Sequence, residues 1–377
     1  MPVKEPLFTP EETESNLQRK LKLFEIAANG EAMLVVGAGC SAGLFPTWGE
    51  LMAKMGCEAQ SINPKFPVFN SKTDKPLIYA QAVKNCLGND RYHQFVSTTF
   101  KHSDPTHYRY HESLCNILQQ NKFKAIITTN FDPVFQYAFA AKLGYWSDPV
   151  IIDTDAIEQA DLYEYMLSWD SPATRKRILH LHGFGKHKGA LVFAESEYKE
   201  KYGSLFNKAE QSIHEAPKLA NLSAEEKKNT SAAYDYIYTL HRKLLWTLFS
   251  TRRLLFLGTS LTDPYFTMML EFVRDEMHSF NYARHYLVLR IANINEKEDA
   301  MAYAVRLKKD FGIETVFFEE TESKTGLANF VAELEVAVLP EQQTSVLKDE
   351  ESKKGSEDGD EELTKQLYQI ANQDGQN

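Results

Sequence analysis

The run LVVGAGCSAGLFPTW at residues 34 to 48 is the stretch that most narrows the folds open to this chain. An apolar segment, AMLVV at residues 32 to 36, reads as a buried strand and breaks directly into glycines. Gly37, Gly39 and Ala42 satisfy the GxGxxG/A spacing, and WGELMAKMG behind them reads as a helix. Such a loop forms where backbone must come close to a phosphate. Glycine removes the obstructing Cβ, backbone amides face the anion, and the positive end of the next helix adds to them. The same spacing also serves as a tight structural turn, so the loop alone identifies a βα unit and no more.

The rest of the chain continues that theme. Thr9, Pro10 and Glu12 carry a capping residue, a proline for the first helical position and a capping-box glutamate, which predicts a first helix over ESNLQRKLKLFEIAA. From about residue 75 to 118 helical spacing recurs without a strand, and a helical insertion is expected at about 52–120. Short apolar runs then return at residues 124 to 129, 177 to 182, 190 to 193, 253 to 258, 285 to 289 and 315 to 318, with stretches of helical character between most of them, such as AAYDYIYTLHRKLLWTLFS and EKEDAMAYAVRLKKDF. Alternation of this kind predicts an α/β fold with a largely parallel sheet flanked by helices. Ligands in such folds sit beyond the carboxyl ends of the strands.

One domain over residues 1–340 is expected, followed by a tail at 341–377. Residues 349 to 362 hold eight acidic residues against two lysines, which predicts a disordered acidic tail, and EELTKQLYQIA near its end has the spacing of a short amphipathic helix. A formal net charge of -10 gives no footprint for direct nucleic-acid binding. The beginning of the chain lacks a signal-peptide core and no apolar run reaches the ~18 to 20 residues of a membrane span, so a cytoplasmic protein is expected. The four cysteines, Cys40, Cys57, Cys86 and Cys115, are far apart and offer neither a disulfide framework nor a zinc pair.

A dinucleotide oxidoreductase would place an acidic residue at the end of a second strand ~20 residues beyond the first glycine. Glu58 has that spacing but no strand precedes it. Pro46 and Trp48 then interrupt the region with a rigid turn and a large ring, which offers a flat wall for a nicotinamide or ribose or serves as core.

Three further motifs fall at strand ends. IITTNFDPVF puts Thr129, Asn130 and Asp132 after a buried strand; Asp132 with Pro133 also makes a helix cap, which leaves Asn130 unexplained. RILHLHGFG sets His180 and His182 two apart on a strand, hence on one face. No neighbouring carboxylate or cysteine completes a ligand set there, and no metal is assigned. LLFLGTSLTDPYF ends a strand in Gly258, Thr259 and Ser260, able to meet a ribose or phosphate or to form a turn, and then caps a helix with Asp263 and Pro264.

Taken in order, GAGCSAGLFPTW, TTNFD, HLHG and GTSLTDP resemble the sirtuin family, the silent information regulator fold that binds NAD, over about residues 30 to 320. The resemblance implies a Rossmann-like sheet with the nicotinamide end of NAD buried against Asn130, Asp132 and His182. Gly37, Ala38, Gly39 and Ser41 would hold the pyrophosphate, and Thr259 and Ser260 the adenosine side, with Trp48, Thr129 and Gly258 completing the site. It further implies Asp132 on the carboxamide, Asn130 on a water near the anomeric carbon, and His182 as general base.

Two departures narrow the expectation. No cysteine follows Cys115, so the four-cysteine zinc ribbon of sirtuin deacylases is missing, and their Pro-Asp-Phe-Arg run reads Pro46-Thr47-Trp48-Gly49 here. The pattern is similar to the sirtuin-like NAD hydrolases of bacterial anti-phage (abortive infection) systems. That likeness implies NAD as substrate, no zinc, and a homo-oligomer or a partner such as a HerA-type hexameric ATPase. Two other readings stay open: an NAD-dependent deacylase or ADP-ribosyltransferase, and a catalytically silent NAD or ADP-ribose binding module.

Overall fold

The structure, a computed structural model, describes residues 6–101, 109–143, 149–152, 156–169, 178–185, 190–203, 239–278, 284–320 and 325–339. The acidic tail with its amphipathic stretch, and residues 232 to 238 at the start of the expected helix before β5, lie outside the described residues.

Helix α1 (Pro10–Ala28) opens with the capping box of Thr9 and Glu12 and leads into β1 (Ala32–Val36). The polypeptide is then helical through α2 (Trp48–Gln60), α3 (Pro76–Leu87), α4 (Asn89–Thr99) and α5 (Arg109–Gln119) before it returns to the sheet as β2 (Phe123–Thr128). Next come α6 (Val134–Leu143), β3 (Val150–Ile151), α7 (Ala156–Leu167), β4 (Ile178–His180) and α8 (Glu195–Tyr202). The last described stretch runs α9 (Leu240–Thr251), β5 (Arg253–Leu257), α10 (Pro264–Glu276), β6 (His285–Ile291), α11 (Ile294–Phe311), β7 (Ile313–Glu319) and α12 (Gly326–Val338).

The seven strands form one sheet in the order β3-β4-β2-β1-β5-β6-β7, with every pairing parallel. This is the Rossmann-like α/β fold that the alternation predicts. Parallel strands need crossover helices on the sheet faces, so both faces become interior. Along β1, Ala32, Leu34 and Val36 pack with α1, α2 and α12 on one face, while Met33 and Val35 pack with α9 and α10 on the other. β2 keeps this alternation after a bulge near its start, where the register against β1 slips between Phe123 and Ile126.

Two local expectations need correction, and one strand went unread. Residues 190 to 193 do not form a strand: the amides of Phe193 and Ala194 donate to the Glu197 carboxylate at 2.9 and 2.8 Å, and are therefore lost to any ladder. β4 stops at His180, so His180 and His182 do not share a strand face. The short edge strand β3 carried too little apolar sequence to be read as one.

The outer edge of β7 is closed by a side chain from the other end of the molecule. Asn16 of α1 donates from Nδ2 to the Phe317 carbonyl at 2.9 Å and accepts the Phe317 N–H on Oδ1 at 2.8 Å. One amide thereby does what a neighbouring strand would do. Among the described residues no helix is long and apolar enough to cross a membrane.

Candidate functional site

β1 sits at the middle of the sheet, with β2 on one side and β5 on the other, and the chain runs away from it in both directions. That reversal leaves a crevice beyond the carboxyl ends of the central strands. A cavity of about 880 Å³ occupies it, walled by the segments that follow β1, β2, β4 and β5.

After β1 the chain makes one 3-10 turn over Ala38–Ser41 and reaches α2 only at Trp48. The start of α2 carries its own anion, because Glu50 accepts both the N–H and the hydroxyl of Thr47 at 2.7 and 2.8 Å. This is the helix end expected to help hold a phosphate, and the positions nearest the strand are those of the 3-10 turn. Gly37, Ala38, Gly39 and Ser41 line the cavity, and Trp48 lines it with its ring set edge-on against Phe193 at 4.8 Å.

The glycines answer to close packing between two loops. A Cβ on Gly37 or Gly39 would lie 2.7 Å from the carbonyl oxygen of Gly258. Gly258 itself has φ +61, and a Cβ there would lie 2.4 Å from the Cys40 nitrogen. The Gly39 amide donates to the Gly258 carbonyl at 2.7 Å, so the loops after β1 and β5 are joined backbone to backbone. Gly258, Thr259 and Ser260 line the cavity from that second loop.

β2 delivers Thr129, Asn130 and Asp132 to the same cavity. Asn130 is buried, and its orientation is set by its partners: Nδ2 lies 3.2 Å from both the Gly37 carbonyl, which only accepts, and the Ser41 hydroxyl. Its Oδ1 is then the atom left to meet a ligand or water. Asp132 is buried as well, and loss of solvent pushes its carboxyl up to about 6, against the opposing effect of bonds from the Val134 amide, Ser41 and Asn130. Its Oδ1 accepts the Val134 N–H at 3.1 Å, so the capping role is real and does not prevent the side chain from lining the cavity.

The two histidines separate. His180 is fully buried with Nδ1 3.0 Å from the Asn130 carbonyl and Nε2 2.9 Å from Gln136 Nε2, and it braces the β2 loop from behind. His182, past the strand end, lines the cavity. Gly183 with φ +89 makes that turn possible, since a Cβ would strike the Ala190 carbonyl at 2.3 Å. Burial lowers the basicity of His182, and the nearby Asp263 works against that shift.

The match to known families agrees with this geometry. The family model of the SIR2-like domain matches residues 124–316, just over half of the chain. The chain belongs to the SIR2-like domain family. Members of this family are generally NAD-dependent enzymes, and SIR2-like domains bind NAD. No curated protein matches the chain.

All twelve residues selected from this SIR2-like sequence meet around one cavity, although they come from four separate segments. Several others join them. Lys75 to Ile78, at the start of α3, and Phe100, after α4, form part of the wall, which gives the helical segment between β1 and β2 a place in the site. Asp263 lines the cavity and caps α10 through Oδ1, 2.9 Å from the Tyr265 N–H, while its Oδ2 accepts the Tyr198 hydroxyl at 2.7 Å. The Asp263-Pro264 pair was visible as a cap; that its second oxygen turns inward was not. Tyr198 and Tyr202, which stand on His182, gave no motif at all. Among the described residues no group of three or more His, Cys, Asp or Glu side chains is placed to hold a metal.

Proposed function

We propose that the chain hydrolyses NAD at the nicotinamide-ribose bond, releasing nicotinamide and ADP-ribose. The observation that carries this reading is the convergence of Asn130, Asp132 and His182 on one cavity that is also lined by two interlocked glycine loops. A cavity of about 880 Å³ has room for a dinucleotide.

Breaking the glycosidic bond develops an oxocarbenium-like cation, and nicotinamide departs as a neutral ring that needs no acid. The demands on the protein are orientation, exclusion of bulk water and a proton acceptor. In this reading Asp132 holds the carboxamide, Asn130 presents Oδ1 to the attacking water, and His182 takes the proton, directly or through a ribose hydroxyl. A neutral imidazole is required for that role, and burial favours the neutral form. The same proposal makes the protein an effector of anti-phage defence in the cytoplasm, working as a homo-oligomer or with a HerA-type ATPase; the motif resemblance supports it.

The test is nicotinamide release from NAD by purified protein at high and low concentration, with and without such a partner. Wild type is expected to release nicotinamide and ADP-ribose in equal amounts, and Asn130→Ala or His182→Ala to lose about a hundredfold or more in kcat. Binding of NAD without turnover in every condition would replace the hydrolase with a binding module.

A further inference from the structure

His182 belongs to a hydrogen-bonded chain whose proton positions follow from counting donors. Asp263 Oδ1 is occupied by the Tyr265 and Phe266 amides at 2.9 and 3.1 Å, which fixes the rotation of the carboxylate. Its Oδ2 lies 2.7 Å from the Tyr198 hydroxyl. A carboxylate only accepts, so the single hydroxyl proton of Tyr198 is spent on Asp263. His182 Nδ1 lies 3.4 Å from that same hydroxyl oxygen, which can now only accept. Nδ1 must therefore carry the ring proton of the neutral imidazole. Nε2 is left with the lone pair, and the Tyr202 hydroxyl at 3.1 Å supplies a proton to it.

We propose that Tyr198 and Asp263 are positioning residues that hold His182 in its Nδ1–H tautomer, so that the ring's lone pair lies on Nε2, where the resting protein engages it with the Tyr202 hydroxyl and from which turnover must free it. The consequence for turnover rests on the function proposed above; the tautomer does not. Both tyrosines lie on α8, and the ring contacts of Tyr198 with His182 at 5.3 Å and with Tyr265 at 5.0 Å hold it between the β4 turn and α10. The arrangement is a carboxylate-tyrosine-histidine relay, in which the tyrosine carries the influence of a carboxylate that stands 3.7 Å from Nε2 but orients the ring through Nδ1.

The experiment is nitrogen-15 NMR of histidine-labelled protein at neutral pH, with His182 assigned among the 11 histidines by its loss in His182→Gln. Wild type is expected to show a protonated Nδ1 and an unprotonated Nε2. Asp263→Asn keeps the helix cap through its oxygen and turns an amide NH2 toward Tyr198. The tyrosine proton is then released to Nδ1, and the tautomer is expected to reverse. Tyr198→Phe removes the oxygen and is expected to give a mixture of the two forms. In NAD cleavage Asp263→Asn should lose about a hundredfold in kcat with KM within about twofold, because the acceptor nitrogen is lost, and Tyr198→Phe only about two- to fourfold, because part of its imidazole keeps the wild-type form. Unchanged histidine signals elsewhere would show that both variants are folded. Persistence of the wild-type tautomer in both variants, or a wild-type ring protonated on Nε2, overturns the inference. A wild-type protein that releases no nicotinamide removes the hydrolase reading, and the nitrogen spectra still decide the tautomer.

Discussion

Asp132 shows how one residue carries both a structural cost and a site. Its carboxyl titrates near 3.8 when solvated and is pushed up to about 6 by burial. Between those values the folded state binds more protons than the unfolded one, so stability falls as pH rises from about 4 to 6, and above 6 the protein bears the whole cost of the buried charge. Asp132→Asn retains an oxygen for the Val134 amide and removes that charge. It is expected to raise unfolding stability at pH 7.5 by about 2–3 kcal/mol, with the gain vanishing near pH 4, while NAD cleavage falls. Urea unfolding at the two pH values checks the sign, and a loss of stability at pH 7.5 would show that the ionised carboxyl is stabilising. Function and stability then oppose each other at this position, as they do at many sites. Asp132 was legible in the sequence because it follows a buried strand; its raised pKa was not, since burial depends on what Ser41, Asn130 and the wall around them enclose.

At the scale of elements, α8 is fixed through a residue that no motif marked. Glu197, buried in its first turn, accepts from Lys84 of α3 at 2.8 Å, from Tyr92 of α4 at 3.1 Å, and from the amides of Phe193 and Ala194. The helical segment between β1 and β2 thus holds α8, and α8 holds His182 through Tyr198 and Tyr202. Glu197→Ala leaves a half-buried lysine, the buried Tyr92 hydroxyl and two backbone amides without their acceptor, and is expected to cost about 3 kcal/mol or more. Lys84→Met leaves the carboxylate three donors and should cost less, about 1–2 kcal/mol. Denaturation midpoints of the two variants test the order; equal losses would mean that the ion pair, and not the backbone bonds, dominates. The expected strand at residues 190 to 193 failed for the same reason, because a side chain from a later helix took the Phe193 amide at its end.

The whole molecule is a sheet whose centre makes the site and whose edges must be closed. Asn16 closes the β7 edge from 301 residues away in sequence. Asn16→Ala exposes the Phe317 N–H and C=O to an apolar neighbourhood and is expected to lower stability by about 1–3 kcal/mol and to promote aggregation on heating. Light scattering during thermal unfolding reads both effects, and unchanged scattering with unchanged midpoint would show that water replaces the amide. What the amino-acid order determined alone was the alternation of apolar runs and helices, the capping box of α1, and four strand-end motifs, because each depends on neighbours within a few residues. Tertiary structure decided the rest. It separated His180 from His182 at a turn that only the packing of Gly183 against Ala190 requires. It also set three glycines against one another across two loops, and brought Tyr198, Tyr202 and Asp263 onto a single imidazole. Those contacts join segments distant in the chain, and their partners follow from strand order, which no local pattern encodes.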